Sequence, residues 1–185
     1  GILIGLAGGM FARVMDFYSV DLTAVEIDLT VVEIAKAYFG YRGEIYLPSG
    51  ARCLDDAPVF PRRDARRPAA AGGRTESSVA HGATGPYRGR AVIQDGRQYL
   101  TAHPDRVDFI VLDAYNSDSI PFHLITREFF ELVRTRLTDD GILAMNYIGR
   151  PENDFVTESL FHTLADVFGA GRIVDLAEPD TGIAA

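Results

Sequence analysis

The chain has 185 residues, 47% of them hydrophobic, and a single cysteine, Cys53. That is enough for one domain with a real core, whereas the lone cysteine excludes a disulfide framework and a Cys-based zinc site and fits a reducing cytoplasm. A formal net charge of −8 argues against nucleic acid as the main partner, because a phosphate backbone calls for a basic face, and no apolar run reaches the roughly 18 residues of a membrane span.

Short apolar runs alternate with helical patterns from the first residue onward. "ILIGL" (2–6) reads as a buried strand and "MFARVMDFY" (10–18) as a helix. "DLTAVEI" (21–27) precedes the helical "LTVVEIAKAYFG" (29–40), in which Val32, Ala35 and Phe39 share one face. Residues 46–89 break this rhythm: rich in Pro, Gly, Ala, Ser and Arg and without a hydrophobic period, they read as a flexible insertion. The alternation resumes with "RAVIQ" (90–94) and "GRQYLTAH" (96–103), then "VDFIVLD" (107–113) and "TREFFELVRTRL" (126–137). "GILAMNYI" (141–148), "NDFVTESLFHTLADVFG" (153–169) and a last strand, "RIVDLA" (172–177), complete it. Runs such as "FIVL" lack polar alternation, as strands covered on both faces do. The expectation is a single α/β domain over 1–185 with an open, doubly wound, mostly parallel sheet. Because the chain opens on Gly1 directly before a strand and stops soon after another, it is also expected to be truncated at both ends.

Chemistry-bearing residues fall at the ends of these strands. "GLAGGM" (5–10) lies between the first strand and helix, where glycines either let a ligand approach a helix N-terminus or simply make a tight strand-to-helix turn. It is not the dinucleotide fingerprint: counted from Gly5, the third position is Ala7 and the sixth is Met10. That favours a nucleoside cofactor without a pyrophosphate. In "VEID", either Glu26 or Asp28 could accept the ribose hydroxyls; Glu26 is nearer the strand end, and Asp28 suits a helix N-cap. Asp95, in "QDGRQYL", reads either as another N-cap or as an acceptor for an adenine amino group. Asp113 ends the strand that leads into "LDAYNSDSIPFHLIT" (112–126), a loop with Tyr115, Asn116, Asp118, Pro121 and His123. Tyr115 would line a cleft for a cationic ligand or pack as a loop aromatic. Asn146 and Tyr147 end a strand near the same mouth. Taken together, the strand-end residues point to an adenosyl ligand at the carboxyl edge of the sheet.

"ILIGLAGGMFARV", "VEID", "QDGRQYL" and "LDAYNSDSIPFHLITREFFELVRTRLTDDGILAMN" resemble the spermidine synthase (polyamine aminopropyltransferase) superfamily, within it the bacterial spermidine-synthase-like proteins. The resemblance covers almost all of the chain outside 46–89. It implies a Rossmann-like domain of the S-adenosylmethionine-methyltransferase type that binds decarboxylated S-adenosylmethionine, or S-adenosylmethionine, without a metal. The family's established enzymes transfer the aminopropyl group to putrescine and release methylthioadenosine. By position, Gly5, Gly8 and Gly9 fall in the cofactor loop, Glu26 at the ribose, and Asp95 with Gly96 at the adenine. Asp113 matches the carboxylate that takes the proton of the attacking amine, and Tyr115, Asn116 and Asp118 fall on the amine side. The family has Asp where this chain has Asn116, and usually Asp in the glycine loop where it has Gly8. The family's N-terminal β-rich domain, which helps build the polyamine pocket and the homodimer, has no counterpart in these residues. The resemblance thus implies a spermidine-synthase-like transferase with a polyamine partner. A methyltransferase and a non-catalytic adenosyl-binding fragment are the alternatives on the same nucleoside site.

Overall fold

The computed structural model describes residues 1–48, 89–116, 119–149, 154–174 and 176. The first strand, β1 (Ile2–Ile4), is buried at every position, as its unbroken apolar run requires. It feeds α1 (Met10–Phe17), then β2 (Thr23–Glu26) and α2 (Leu29–Tyr38). A strand with no counterpart in the sequence reading follows, β3 (Glu44–Tyr46), so Tyr46 belongs to the sheet and not to an insertion. Three residues with one buried side chain, Ile45, are too short to show a period. Beyond residues 49–88, which lie outside the described residues, come β4 (Arg90–Ile93), α3 (Gly96–Ala102) and β5 (Val107–Leu112). A 3-10 turn at Phe122–Leu124 leads into α4 (Arg127–Arg136), β6 (Leu137–Met145) and α5 (Phe155–Phe168).

Among the described residues, six strands lie parallel in the order β3-β4-β2-β1-β5-β6. After β1 the chain fills one side of it, with β2 adjacent, β3 at the edge and β4 inserted between them, and then crosses to the other side with β5 and β6, so the connection switches sides between β1 and β5. Two apolar layers sandwich the sheet. One gathers Ile4, Val25, Ile110 and Leu112 with Phe129, Phe130, Val133 and Leu160 of α4 and α5. The other gathers Leu3, Ala24 and Ala91 with Ala12 of α1 and Val32 and Ala35 of α2. Odd and even positions of β1 thus feed opposite layers, as the two-residue period of a strand demands. The architecture is the doubly wound α/β sheet read from the sequence, with helices on both faces.

Three boundaries differ from the sequence reading. Phe39, placed on the buried face of α2, is half exposed because the helix has ended: it is the C-cap residue. β6 begins at Leu137, not at Gly141, because a register shift against β5 lets Leu137 pair with Val107 before Ile142 pairs with Phe109. The strand expected at 172–177 does not form over its described part: Ala170–Arg172 is a 3-10 turn and Val174 is 76% exposed. An apolar run makes a strand only where a neighbouring ladder accepts it, and β6 ends the sheet among the described residues.

Candidate active site

At the switch between β1 and β5 the carboxyl edge of the sheet opens, the place where open α/β sheets bind ligands. β1 ends in a turn with three left-handed residues, Gly5 (φ 91°), Ala7 (φ 46°) and Gly9 (φ 71°), closed by the Gly9 amide donating to Leu6 O at 2.8 Å. Gly5 is required by the fold itself: a Cβ there would lie 2.4 Å from the Asp113 carbonyl oxygen on the adjacent strand. Gly96 likewise lets α3 approach Ile4, whose Cγ2 would be 2.5 Å from an added Cβ. Gly8 is different. A Cβ at Gly8 would meet only the Phe39 ring, at an ordinary 3.6 Å. No neighbour forbids a side chain there.

Glu26 ends β2 and is buried. Its Oε2 accepts the Leu6 amide at 2.9 Å and its Oε1 the Asp28 amide at 3.1 Å, so the carboxylate is locked between the glycine turn and the start of α2. Each oxygen accepts only one such bond and has a second lone pair for a ligand hydroxyl. Asp28 is the N-cap of α2, its Oδ1 taking the Thr30 amide at 2.8 Å. Ile27, between the two acids, is apolar yet 69% exposed. Asp95 caps α3 through Oδ1, which accepts the Gln98 amide at 2.9 Å, and its Oδ2 meets His123 Nε2 at 2.7 Å. Ile27, Asp95, Arg97, Gln98 and His123 line one open cavity of about 620 Å³. The Gln94 side-chain oxygen, one residue before Asp95, is buried and without a partner among the described residues.

Asp113 follows β5, its amide tied to Ile4 O at 2.9 Å. Asn146, at the end of β6, donates from Nδ2 to Asp113 Oδ1 at 2.9 Å. Sequence spacing gave Asn146 no such role, because the residues are far apart in the chain and meet only through β5–β6 pairing. Tyr115 packs against the apolar layer of α4 while its hydroxyl is buried without a partner among the described residues. Burial first, and the Asp113 carboxylate second, raise the Tyr115 phenol above its usual value of 10.0, so it remains a neutral hydroxyl at ordinary pH. Asn116 is exposed and forms a tight bridge with Ser119, its amide donating to Ser119 O at 2.8 Å. Asp118 lies outside the described residues. Glu26, Asp95 and Asp113 thus stand at the ends of strands β2, β4 and β5, around the turn that leaves β1. That arrangement suits an elongated ligand with a polyol near Glu26, a base near Asp95 and a reacting end near Asp113.

No family model matches the chain. It is 27% identical to the probable polyamine aminopropyl transferase of Bifidobacterium longum over 97% of the chain and 31% of that protein. To the N-terminal histidine N-methyltransferase of Emericella nidulans it is 25% identical, over 98% of the chain and 25% of that protein. The chain therefore spans about a third or less of these two curated relatives. Among solved structures, human methyltransferase-like protein 13 in complex with SAH superposes with a TM-score of 0.60 at 19% identity, covering 90% of this chain and 61% of that one. Spermidine synthase from Thermotoga maritima superposes with a TM-score of 0.55 at 22% identity, covering 90% and 44%. Among the described residues no helix is long and apolar enough to cross a membrane. By sequence the chain is similar to the polyamine aminopropyltransferases of the spermidine synthase superfamily, and its fold is the Rossmann-like sheet of S-adenosylmethionine-dependent methyltransferases.

Proposed function

We propose that the chain is the nucleoside-binding and catalytic domain of a spermidine-synthase-like transferase. It moves the aminopropyl group of decarboxylated S-adenosylmethionine to an amine such as putrescine, with Asp113 as proton acceptor. The observation that carries this reading is the placement of Glu26, Asp95 and Asp113 after β2, β4 and β5 at the same edge of the sheet, with Asp113 held by Asn146. The name of the Bifidobacterium relative supports it.

In this reading Glu26 takes the ribose hydroxyls and Ile27 offers an apolar face to the base, while Asp95 accepts from its amino group. The amine nitrogen attacks the methylene carbon attached to the sulfonium. The new C–N bond forms as the C–S bond breaks, and the bonding pair returns to sulfur, leaving neutral methylthioadenosine. An alkyl amine is mostly protonated near neutral pH, with a pKa of about 10, so it must lose a proton before attack or as it attacks. Asp113 accepts that proton and, being anionic, also draws in the cationic amine. Tyr115 stays a neutral hydroxyl beside Asp113. Tyr115 and Asn116 fall on the amine side, where Asn116 stands in for the second acid of the family.

Asp113→Asn should lower turnover by roughly a hundredfold or more, the usual scale for losing a general base, while methylthioadenosine binding changes by less than about threefold. Full activity in that variant would remove Asp113 from the mechanism. The second reading, a methyltransferase, is favoured by the Emericella relative and by Gly8, which supplies no acid for an amine end. Product mass with S-adenosylmethionine or its decarboxylated form separates a transferred methyl from an aminopropyl group. Adenosyl binding with neither product identifies a binding domain without turnover.

A further inference from the structure

We infer that His123 is a positioning residue, a latch that fixes the base-recognising carboxylate Asp95 and ties it to the segment descending from Asp113. The inference rests on the proposed adenosyl site and deepens it. His123 lies on the 3-10 turn Phe122–Leu124, and Asp95 at the N-terminus of α3. An ionised carboxylate only accepts, so the His123 Nε2–H donates to Asp95 Oδ2, at 2.7 Å. With Oδ1 already holding the Gln98 amide at 2.9 Å, the carboxylate is gripped at both oxygens. Each keeps a free lone pair beside the cavity that Asp95 and His123 both line.

The latch is reinforced from the same helix turn. Arg97 donates from one terminal nitrogen to the His123 carbonyl at 3.2 Å and to Thr126 Oγ1 at 3.4 Å. Leu124 is buried, which anchors the turn in the apolar layer below. The first turn of α3 therefore grips residues 123–126, the stretch that joins the Asp113 loop to α4. A carboxylate held in one orientation has less freedom to lose when a ligand amino group arrives, which is how preorganisation strengthens binding. His123 itself is surface-accessible, its side chain 47% exposed against 17% for Asp95. Substituting it removes the latch without opening the core.

Calorimetric titration with methylthioadenosine tests this on the whole chain. His123→Ala should weaken binding about tenfold, on the scale of a lost hydrogen bond to a charged group, and should speed amide exchange over residues 119–125. His123→Gln, which can still present an N–H to Asp95, should recover to within about threefold of the unchanged chain. In an Asp95→Asn background the His123→Ala penalty should fall below about twofold, the non-additivity of two groups acting as one. If His123→Ala binds as the unchanged chain does, or if its penalty is undiminished beside Asp95→Asn, the latch is overturned while the adenosyl site stands. If the unchanged chain fails to bind methylthioadenosine, the proposed function falls and the latch with it.

Discussion

Ala7 holds a φ of 46° in the middle of the turn between β1 and α1, where a Cβ crowds the following carbonyl at a cost of about 1–2 kcal/mol. Ala7 is also exposed, so replacement by glycine removes that strain without losing packing, though it adds entropy to the unfolded chain. Ala7→Gly should leave the protein more stable by about 1 kcal/mol, read as a higher urea midpoint at constant slope. The result to weigh against this is a lower midpoint. Tyr115 makes a second prediction at this scale. Its pKa is raised by burial and by Asp113, so above pH 10 the unfolded chain gives up the phenol proton more readily than the folded one. Its contribution is complete below about pH 10 and is lost as pH rises through the higher folded value. Unfolding midpoints measured from pH 8 to 11 should fall more steeply for the native chain than for Tyr115→Phe. At this scale the structure also gives the glycines a packing reason that spacing did not: the Asp113 backbone leaves no room for a side chain at Gly5, nor Ile4 for one at Gly96.

At the scale of elements, Asp28 caps its helix as expected, and Asp95 takes the cap role that was one of its two readings. Thr126 and Asp154, which the sequence reading placed inside helical stretches, likewise accept a backbone amide from the first turn of the helix they precede. Asp28→Ala should cost about 1 kcal/mol in unfolding free energy, the usual value of an N-cap. An unchanged value would mean that α2 is held by Val32 and Ala35 packing alone. Asp154 adds a pH dependence. Its carboxyl lies below the usual 3.8, chiefly through the Thr157 hydroxyl and then the Val156 amide. Its contribution is present above that pH and disappears on further acidification, so Asp154→Ala should narrow the stability gap from the native chain below about pH 4. The elements missed or misplaced have different causes: β3 is too short for a period, and β6 starts early because its first pairing is made across a bulge.

For the whole molecule, the sheet divides the apolar side chains into two layers that share its strands. Phe130, fully buried between the sheet and α5, should cost about 3–5 kcal/mol when truncated to Ala. Because both layers rest on the same strands, a layer on the α1–α2 side should melt in the same transition. Separate transitions followed at tyrosines of the two layers, Tyr41 and Tyr99, would show that the layers are independent. The site is a property of this scale too. Strand order sets β1 beside both β2 and β5, and only that adjacency carries Glu26 and Asp113 to opposite sides of one glycine turn.

The sequence by itself determined the alternation of strands and helices, the capping acids, and the strand-end positions of Glu26, Asp95 and Asp113. These follow from local periodicity and from short-range hydrogen bonding, which a few neighbouring residues settle. Only the tertiary structure decided that Asn146 grips Asp113, that His123 grips Asp95, and that Gly5 answers to a neighbouring strand. Each of those contacts joins residues separated by about thirty positions or more or by the width of a strand pair, and strand order, which sequence periodicity does not encode, brings them within reach.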